Sequence, residues 1–507
     1  MVDVAVATMR VWDPARGASW RMEPAVNVSD WDAVLDAVLP AARSYLDSLP
    51  DRRVYPDTTP DAIRAVVDRP LPETGMPAAE VVGDLAREVE PFVAAHASGR
   101  YFGFVIGGLH PAAYGAELLA ATWDQNAGLY APTPGVSIVE EVAARWTVEL
   151  LGLPAESTVG FVTGGQMANF TALAAARDLV LREVGWDVEV DGLPGAPRIH
   201  VVVKAGRHVT IGRALRFLGL GERCVVEVPC DDQDRFVLDD LRATLAGLDG
   251  PTIVCAEAGN VNTGAFDDFV AIADAADAHR DRGNPTWVHV DGAVGLLAAV
   301  SPQHAALTAG LDRLDSWSTD GHKLLNVAYD CGVAICRHPA AHRAAMSVRA
   351  SYLVQGDGEV REAMDLNPEF SRRARGLGVY ATLRSLGRAG VADLVVRTTG
   401  LAARFADALT ASGRAQVVND VVFNQVLVRW LPPAGHGEDG FNDAVVGTVQ
   451  QEGEAYVTGT TWRGRRLMRI SVSDWATDAE DVDRAVASML RAADTMAAAT
   501  PATPAPG

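Results

Sequence analysis

The residues Val159-Gly-Phe-Val-Thr-Gly-Gly-Gln-Met-Ala168 join a short apolar run, two adjacent glycines and the start of an alanine-rich segment. This order predicts a strand, a tight turn and a helix. Backbone N–H groups converge at a helix start and favour an anion there, so Gly165 and Gln166 are candidate phosphate contacts. An ordinary strand–helix turn is the alternative. The stretch lacks the G-x-G-x-x-G fingerprint of dinucleotide binding.

The same alternation of apolar runs and helical stretches continues from about residue 99 to residue 378. The predicted strands are Gly160–Thr163, Ile199–Lys204, Cys224–Val228, Thr252–Ala256, Trp287–Val290 and Val333–Cys336. The predicted helices are Met167–Glu183, Asp239–Ala246, Asp267–Arg282 and Pro302–Ala309. This pattern predicts an α/β fold with a mostly parallel sheet covered on both faces.

Two polar residues follow predicted strands directly. Asp291 ends the apolar run Trp287–Val290 and precedes small residues. A carboxylate there could hold a pyridinium nitrogen protonated, and the alternative is a helix N-cap. His208 follows the strand Ile199–Lys204, where its imidazole could stack on a flat ring.

A lysine lies between a polar turn and an apolar pair. Lys323 belongs to Asp315-Ser-Trp-Ser-Thr-Asp-Gly-His-Lys-Leu-Leu-Asn326. It could form a Schiff base with a carbonyl cofactor, and a surface lysine covering apolar neighbours is the alternative. Strand ends of an open α/β sheet face one crevice. A cofactor with a phosphate, an aromatic ring and an aldehyde would use the glycine turn, His208, Asp291 and Lys323 together.

The segment Thr319-Asp-Gly-His-Lys-Leu-Leu-Asn326 resembles the D-x-H-K-W motif of the pyridoxal-phosphate (PLP) dependent group II amino-acid decarboxylases, which include aromatic-amino-acid, glutamate and histidine decarboxylases. Leu324 stands where the family usually has tryptophan. The resemblance extends from about residue 100 to residue 490. It implies fold type I, the aspartate-aminotransferase fold, with pyridoxal 5′-phosphate as cofactor. It also implies an amino-acid carboxy-lyase that forms a homodimer with active sites at the subunit interface.

The resemblance also implies a role for each candidate residue. Lys323 would be the Schiff-base lysine, and Asp291 would lie at the pyridinium nitrogen. Ala293 would lie under the ring, and His208 would lie on its other face and take part in proton transfer. The phosphate would be contacted by Gly165, Gln166 and His322, and Asn260 and Asn262 would lie near cofactor and substrate. Ser371–Arg375 resembles the family's S-R-R stretch, which starts the helix leading to the small domain. Residues 123–134 would line the partner's pocket.

Two departures leave the reaction outcome open. The family's mobile loop before the S-R-R stretch usually carries a tyrosine that protonates the carbanion, but residues 356–370 contain none and Tyr352 lies upstream. An aldehyde synthase, which adds oxidative deamination to decarboxylation, or a carbon–carbon lyase of the same fold is therefore the alternative. The pocket segment 101–108 lacks a match to the aromatic decarboxylases, which leaves the substrate open. A catalytically silent homologue is less favoured because Lys323 and Asp291 are present.

Composition narrows the class of protein further. The formal charge of −21 disfavours binding to nucleic acid. No apolar run is long enough for a membrane span, and Met1–Trp20 lacks the apolar core of a secretory signal, so we expect a cytoplasmic protein. Five cysteines without metal-site spacing predict reduced thiols and no metal site.

Four segments are predicted along the chain. They are a mostly helical segment over 1–98, a large PLP-binding domain over 99–378, a small α+β domain over 379–498 and a disordered tail over 499–507. The small domain is predicted from the helix Tyr380–Leu386, the strands Val422–Val428 and Leu467–Val472, and the helix Asp478–Ala498.

Overall fold

The structure is a computed structural model that describes residues 30–347 and 361–499. The chain divides into two compact units, Met1–Ser48 with Thr58–Val93 and Leu49–Asp57 with Ala94–Gly507. The loop residue Tyr352 and all of the predicted tail except Ala499 lie outside the described residues. The four-segment division stays a prediction.

The described part of the first unit is helical. Its helices are α1 (Asp30–Ser48), α2 (Pro60–Val67) and α3 (Ala78–Val89). Helix α2 begins where the Thr59 hydroxyl accepts a hydrogen bond from the backbone N–H of Ala62 at 3.2 Å, with proline in the first helical position.

A seven-stranded sheet forms the centre of the second unit. Its strands are β1 (Thr158–Val162), β2 (His200–Lys204), β3 (Val225–Val228), β4 (Thr252–Glu257), β5 (Thr286–Asp291), β6 (Ser316–Asp320) and β7 (Gly332–Cys336), in the order β1-β7-β6-β5-β4-β2-β3. Only β7 runs against the others, so the sheet is mostly parallel, as predicted. Every residue of the central strands β4 and β5 is buried, because helices cover both faces of a parallel sheet.

Helices connect and cover these strands. They are α4 (Pro111–Trp123), α5 (Pro134–Leu151), α6 (Gly165–Arg182), α7 (Val188–Asp191), α8 (Val209–Phe217), α9 (Leu238–Ala246), α10 (Phe269–Arg280) and α11 (Pro339–Met346). Residues 302–308 form a 3-10 helix and not the predicted α-helix. Strand β6 was not predicted, because hydroxyl groups and a carboxylate interrupt its apolar pattern.

A second, antiparallel sheet packs with the C-terminal helices. Its strands are β8 (Ala415–Val417), β9 (Gln425–Trp430), β10 (Thr458–Trp462) and β11 (Arg465–Ser471), in the order β10-β11-β9-β8. Its helices are α12 (Gly376–Ala411), α13 (Glu438–Glu452) and α14 (Ala479–Ala498). The predicted helix Tyr380–Leu386 is the first part of α12, which changes direction at Gly387, where φ is +62°. Strands β8 and β10 were missed.

An ion pair without solvent exposure anchors the segment before α12. Arg372 donates to both carboxylate oxygens of Glu140 at 2.6 and 3.0 Å, and both side chains are fully buried. We expect Arg372→Met to lower the free energy of unfolding by about 3–5 kcal/mol, because the Glu140 charge loses its main partner. Denaturant unfolding measures this. Arg373→Met, which breaks an exposed pair with Glu117, should cost under about 1 kcal/mol. Equal losses in the two variants would contradict this assignment.

Asp474 makes stability depend on pH. Its Oδ1 accepts from the backbone N–H of Ala476 at 2.8 Å, whereas Oδ2 has no donor among the described residues. Burial raises its pKa from 3.8 to about 7. The folded state therefore favours the protonated acid, and this group's contribution to stability is lost as pH rises from about 4 to 7. We expect Asp474→Asn to raise the free energy of unfolding relative to wild type, and this gain should be a few kcal/mol larger at pH 8 than at pH 4.

Unfolding curves at pH 4, 6 and 8 test that prediction. Asp494→Asn, which changes an exposed carboxylate, is the matched control and should follow the wild-type pH dependence. Asp474→Asn with an unaltered pH dependence would show that folding does not shift the pKa of Asp474.

Within the described residues, no helix combines the length and apolar character needed to cross a membrane. All five cysteines are described, and each is a free thiol.

Candidate active site

The predicted site residues lie at the carboxyl ends of five parallel strands. Gly165 and Gln166 begin α6 after β1, His208 caps α8 after β2, and Asn260 and Asn262 follow β4. Asp291 ends β5, Ala293 comes just after it, and His322 with Lys323 follow β6. The antiparallel strand β7 lies between β1 and β6, so α6 reaches across it to the ends of the central strands.

Lys323 is the only lysine of the chain that offers an accessible amine. The sequence contains two lysines, Lys204 and Lys323. Lys204 is 2% exposed, and its Nζ lies 2.8 Å from Glu257 and 3.4 Å from Asp267. The side chain of Lys323 is 20% exposed. A covalent cofactor that needs a lysine amine therefore has a single candidate within the described residues.

Asp320 organises the turn that carries Lys323. Its Oδ2 lies 2.9 Å from Nζ of Lys323, and its Oδ1 accepts from the backbone N–H of Gly165 at the start of α6. His322 stacks on Tyr329 with 4.2 Å between ring centroids, and its Nδ1 accepts from the N–H of Cys331 at 3.0 Å. Burial lowers the pKa of His322. The turn is therefore held to α6 and to the residues just before β7.

Asp291 is a buried carboxylate with specific donors. Its Oδ2 accepts from Asn169 Nδ2 at 2.9 Å, and its Oδ1 accepts from the N–H of Ala293 at 3.3 Å. Burial raises the pKa of Asp291, while His208, the Asn169 hydrogen bond and Lys323 act in the opposite direction. A cationic ring nitrogen beside Asp291 would also lower the pKa of this carboxyl.

His208 is oriented by the first turn of α8. Its Nδ1 lies 2.7 Å from the Thr210 hydroxyl and 3.4 Å from the Thr210 backbone N–H. The hydroxyl in turn accepts from Asn169 Nδ2 at 3.1 Å. His208 and Asp291 are thus joined through one amide on α6.

The two asparagines after β4 are occupied by protein contacts. Asn260 Nδ2 donates to Glu257 at 2.9 Å, and its Oδ1 accepts from the N–H groups of Asn262 and Thr263. Asn262 Oδ1 accepts from the Thr460 hydroxyl at 3.0 Å, on strand β10. Both side chains shape the loop, and contact with a cofactor stays a prediction.

The start of α6 is the candidate phosphate contact, and there the Gly165 N–H donates to Asp320. Gln166 Nε2 donates to the Thr210 carbonyl at 3.3 Å, and its buried Oε1 has no hydrogen-bond donor among the described residues. Because an amide oxygen only accepts, the Gln166 side chain could bind a phosphate only with its amide turned over. The first N–H groups of a helix and its dipole favour an anion. A phosphate here, an accessible amine on Lys323 and a carboxylate on Asp291 are the three contacts that PLP requires.

The described part of the predicted mobile loop packs against residues 123–134, which are predicted to line the partner's pocket. Residues 363–366 form a 3-10 helix in which Ala363, Met364 and Leu366 are buried. Met364 N–H donates to Gly128 at 2.9 Å, and Glu362 accepts from Tyr130 N–H at 2.7 Å. Residues 356–360 of the predicted mobile loop lie outside the described residues.

Sequence analysis missed three polar residues of the site, Asn169, Thr210 and Asp320. Asp320 stood inside the quoted motif, three residues before Lys323, a spacing that one helical turn brings into contact. Asn169 lies four residues after Gly165 in an alanine-rich helix, where a lone buried amide is unusual. The scarcity of lysine was a further signal for Lys323 that composition alone carried.

The chain is similar to known proteins over most of its length. Residues 60–430 match the family model described as "Pyridoxal-dependent decarboxylase conserved domain". Tryptophan decarboxylase 1 of Oryza sativa subsp. japonica is 27% identical over 475 residues, which cover 88% of this chain and 90% of that protein. L-2,4-diaminobutyrate decarboxylase of Rhizobium meliloti is 29% identical over 405 residues, covering 75% of each chain.

Solved structures share the fold. A crystal structure of Oryza sativa TDC with PLP and tryptamine has a TM-score of 0.85 at 24% identity, covering 94% of this chain and 100% of that one. The 4-hydroxyphenylacetaldehyde synthase of Rhodiola rosea has a TM-score of 0.81 at 20% identity, covering 93% and 99%. The fold is therefore that of fold type I PLP enzymes. The match over residues 60–430 shows that the chain belongs to the pyridoxal-dependent decarboxylase family and that its cofactor is pyridoxal 5′-phosphate.

Proposed function

We propose that this protein decarboxylates an L-amino acid to its amine and CO2, with PLP held covalently by Lys323. The observation that carries the proposal is the single accessible lysine amine, placed by Asp320 at the strand ends that also present Asp291 and the start of α6. Membership of the decarboxylase family supports the reaction class.

The bound cofactor supplies a ring system that accepts the electron pair released at the substrate α-carbon when CO2 leaves. Asp291 holds the ring nitrogen protonated, because an ionised carboxylate in a buried site favours a neighbouring cation. Lys323 would hold the cofactor through its Nζ. Asp320, whose Oδ2 lies 2.9 Å from that nitrogen, keeps the amine in place.

His208 is proposed to cover one face of the ring and to take part in proton transfer, with Ala293 on the other face. The start of α6 and His322 hold the phosphate. Asn260 and Asn262 are proposed to border the substrate. We also propose a homodimer, in which residues 123–134 line the partner's pocket, and a cytoplasmic location.

Reduction and product analysis test the proposal. Borohydride treatment of the PLP-loaded protein should fix the cofactor on Lys323, identified by peptide mapping. Incubation with single L-amino acids should yield equimolar amine and CO2 for at least one of them. If the cofactor is trapped on Lys323 but no L-amino acid releases CO2, the protein binds PLP and the proposed reaction is wrong.

The absence of tyrosine from residues 356–370 favours a second candidate, an aldehyde synthase. Decarboxylation with oxidative deamination consumes one O2 and one water and releases aldehyde, CO2, ammonia and hydrogen peroxide. Detection of peroxide and ammonia in equal amounts, with little amine, would show that the protein is an aldehyde synthase and not an amine-forming decarboxylase. A carbon–carbon lyase would form neither CO2 nor peroxide.

A further inference from the structure

Five buried polar side chains form one continuous chain of hydrogen bonds that ends at Asp291. Trp287 Nε1 donates to Ser316 Oγ at 2.8 Å, and Ser316 Oγ lies 2.9 Å from His289 Nδ1. His289 Nε2 lies 2.9 Å from Asn169 Oδ1, and Asn169 Nδ2 donates to Asp291 at 2.9 Å. All five residues are at most 6% exposed. Their donors must therefore find acceptors within the protein and not in water.

The two ends give this chain a single direction. An indole can only donate, and an ionised carboxylate can only accept. With its amide N–H groups turned to Asp291, Asn169 presents its oxygen to His289, whose Nε2 must carry a proton. Burial lowers the pKa of His289 to about 3, so the ring is neutral and its bare Nδ1 accepts from the Ser316 hydroxyl. Every proton then has an acceptor.

The opposite direction leaves protons without acceptors. Ser318 Oγ also contacts Asn169 Oδ1, at 2.6 Å. A protonated Asp291 that donated to Asn169 would turn the amide N–H groups towards His289 and Ser318. His289 would then donate from Nδ1 to Ser316, whose oxygen already accepts from Trp287. The side-chain partners of Ser316 Oγ are Trp287 and His289, which would both be donating, so its proton would have no acceptor among the described residues, and an unpaired buried donor is costly.

A second series of hydrogen bonds runs from Asn169 through Thr210 to His208. The Thr210 oxygen accepts from Asn169 Nδ2 at 3.1 Å, so its own proton is directed to His208 Nδ1, 2.7 Å away. The Thr210 backbone N–H points to the same nitrogen. A neutral His208 therefore carries its proton on Nε2.

We infer that Asn169 is a positioning residue that favours the ionised form of Asp291. Through Thr210, the same amide holds His208 with its proton on Nε2. The inference rests on the proposed function, because these two residues bear on catalysis only if PLP binds beside them. The hydrogen bonds themselves belong to the protein and exist without cofactor.

The first test measures protonation in the PLP-free protein. NMR of histidine labelled with ¹⁵N, assigned with His208→Gln and His289→Gln, distinguishes the two neutral ring forms. We expect both rings to carry the proton on Nε2. A proton on Nδ1 of either ring would overturn the inferred direction.

The second test compares affinities for PLP and for its 1-deaza analogue, which lacks the ring nitrogen. Wild type should prefer PLP, and Asn169→Leu should reduce that preference about tenfold, since a charged acceptor loses one hydrogen bond. Asn442→Leu is the matched control. Asn442 is also 1% exposed, and its three hydrogen-bond contacts all lie outside the site. An unchanged preference in Asn169→Leu would overturn the positioning role.

Ser316→Ala breaks the chain without touching Asn169 and serves if Asn169→Leu does not fold. Asn169 still presents its oxygen to His289 in this variant, so the ring should keep its proton on Nε2 and the preference for PLP should stay that of wild type. A proton on Nδ1 of His289 in that variant would contradict the inference. Wild-type protein that fails to bind PLP would instead refute the proposed function, while the histidine measurement would still test the chain of hydrogen bonds.

Discussion

Lys323→Ala should lower decarboxylation by at least about 10³-fold, because no other amine is placed to hold the cofactor. Lys204 cannot substitute, since its Nζ is buried between Glu257 and Asp267. Removing the Lys323 amine also leaves Asp320 without its closest cation, so PLP should be retained more weakly. Turnover with a saturating substrate and the violet absorption of the bound cofactor measure the two effects.

The scarcity of lysine allows a sharp control for this variant. Apart from the terminal amine, an amine-reactive reagent can modify only Lys204 and Lys323 in the whole chain. PLP should protect Lys323 from modification in wild type. Lys204→Arg should keep borohydride trapping at Lys323 even if it lowers stability. Trapping at Lys204 in the Lys323→Ala variant would contradict the assignment.

Asp291→Asn should lower kcat by about 10²–10³-fold, the size expected when a preorganised charge that stabilises the transition state is removed. The amide has nearly the shape of the carboxylate, and its oxygen can still accept from Asn169 or from Ala293. It cannot balance a cationic ring nitrogen. The loss should therefore appear in kcat more than in the affinity for the amino acid, which steady-state kinetics separates.

Asp315→Asn is the matched control for Asp291→Asn. Both aspartates are 6% exposed and adjoin neighbouring strands, but Asp315 pairs with Arg280 at 2.6 Å, before β6 begins. We expect this variant to lose stability and to keep its kcat. If Asp315→Asn lowered kcat as much as Asp291→Asn, the effect would reflect the sheet and not a role at the ring nitrogen.

Strands of the seven-stranded sheet with continuous apolar character could be predicted from sequence to within two residues. Strand β4 is an example, with every residue buried in the observed Thr252–Glu257. Strand β6 could not, because its serines and threonine are polar. They are tolerated in the core through partners on other elements, such as Trp287 for Ser316 and Asn169 for Ser318. Hydrophobic pattern cannot reveal those partners.

The sequence by itself determined which residues would stand at strand ends. The alternation of apolar runs and turns is local, and it placed Asp291 and His208 after strands that finish at one edge of the parallel sheet. Only the tertiary structure decided how those residues are oriented. Asn169 bonds to Asp291 from 122 positions away in the chain, because α6 crosses from β1 to the central strands. Partners in hydrogen bonds follow from which elements become neighbours, and local spacing does not encode that.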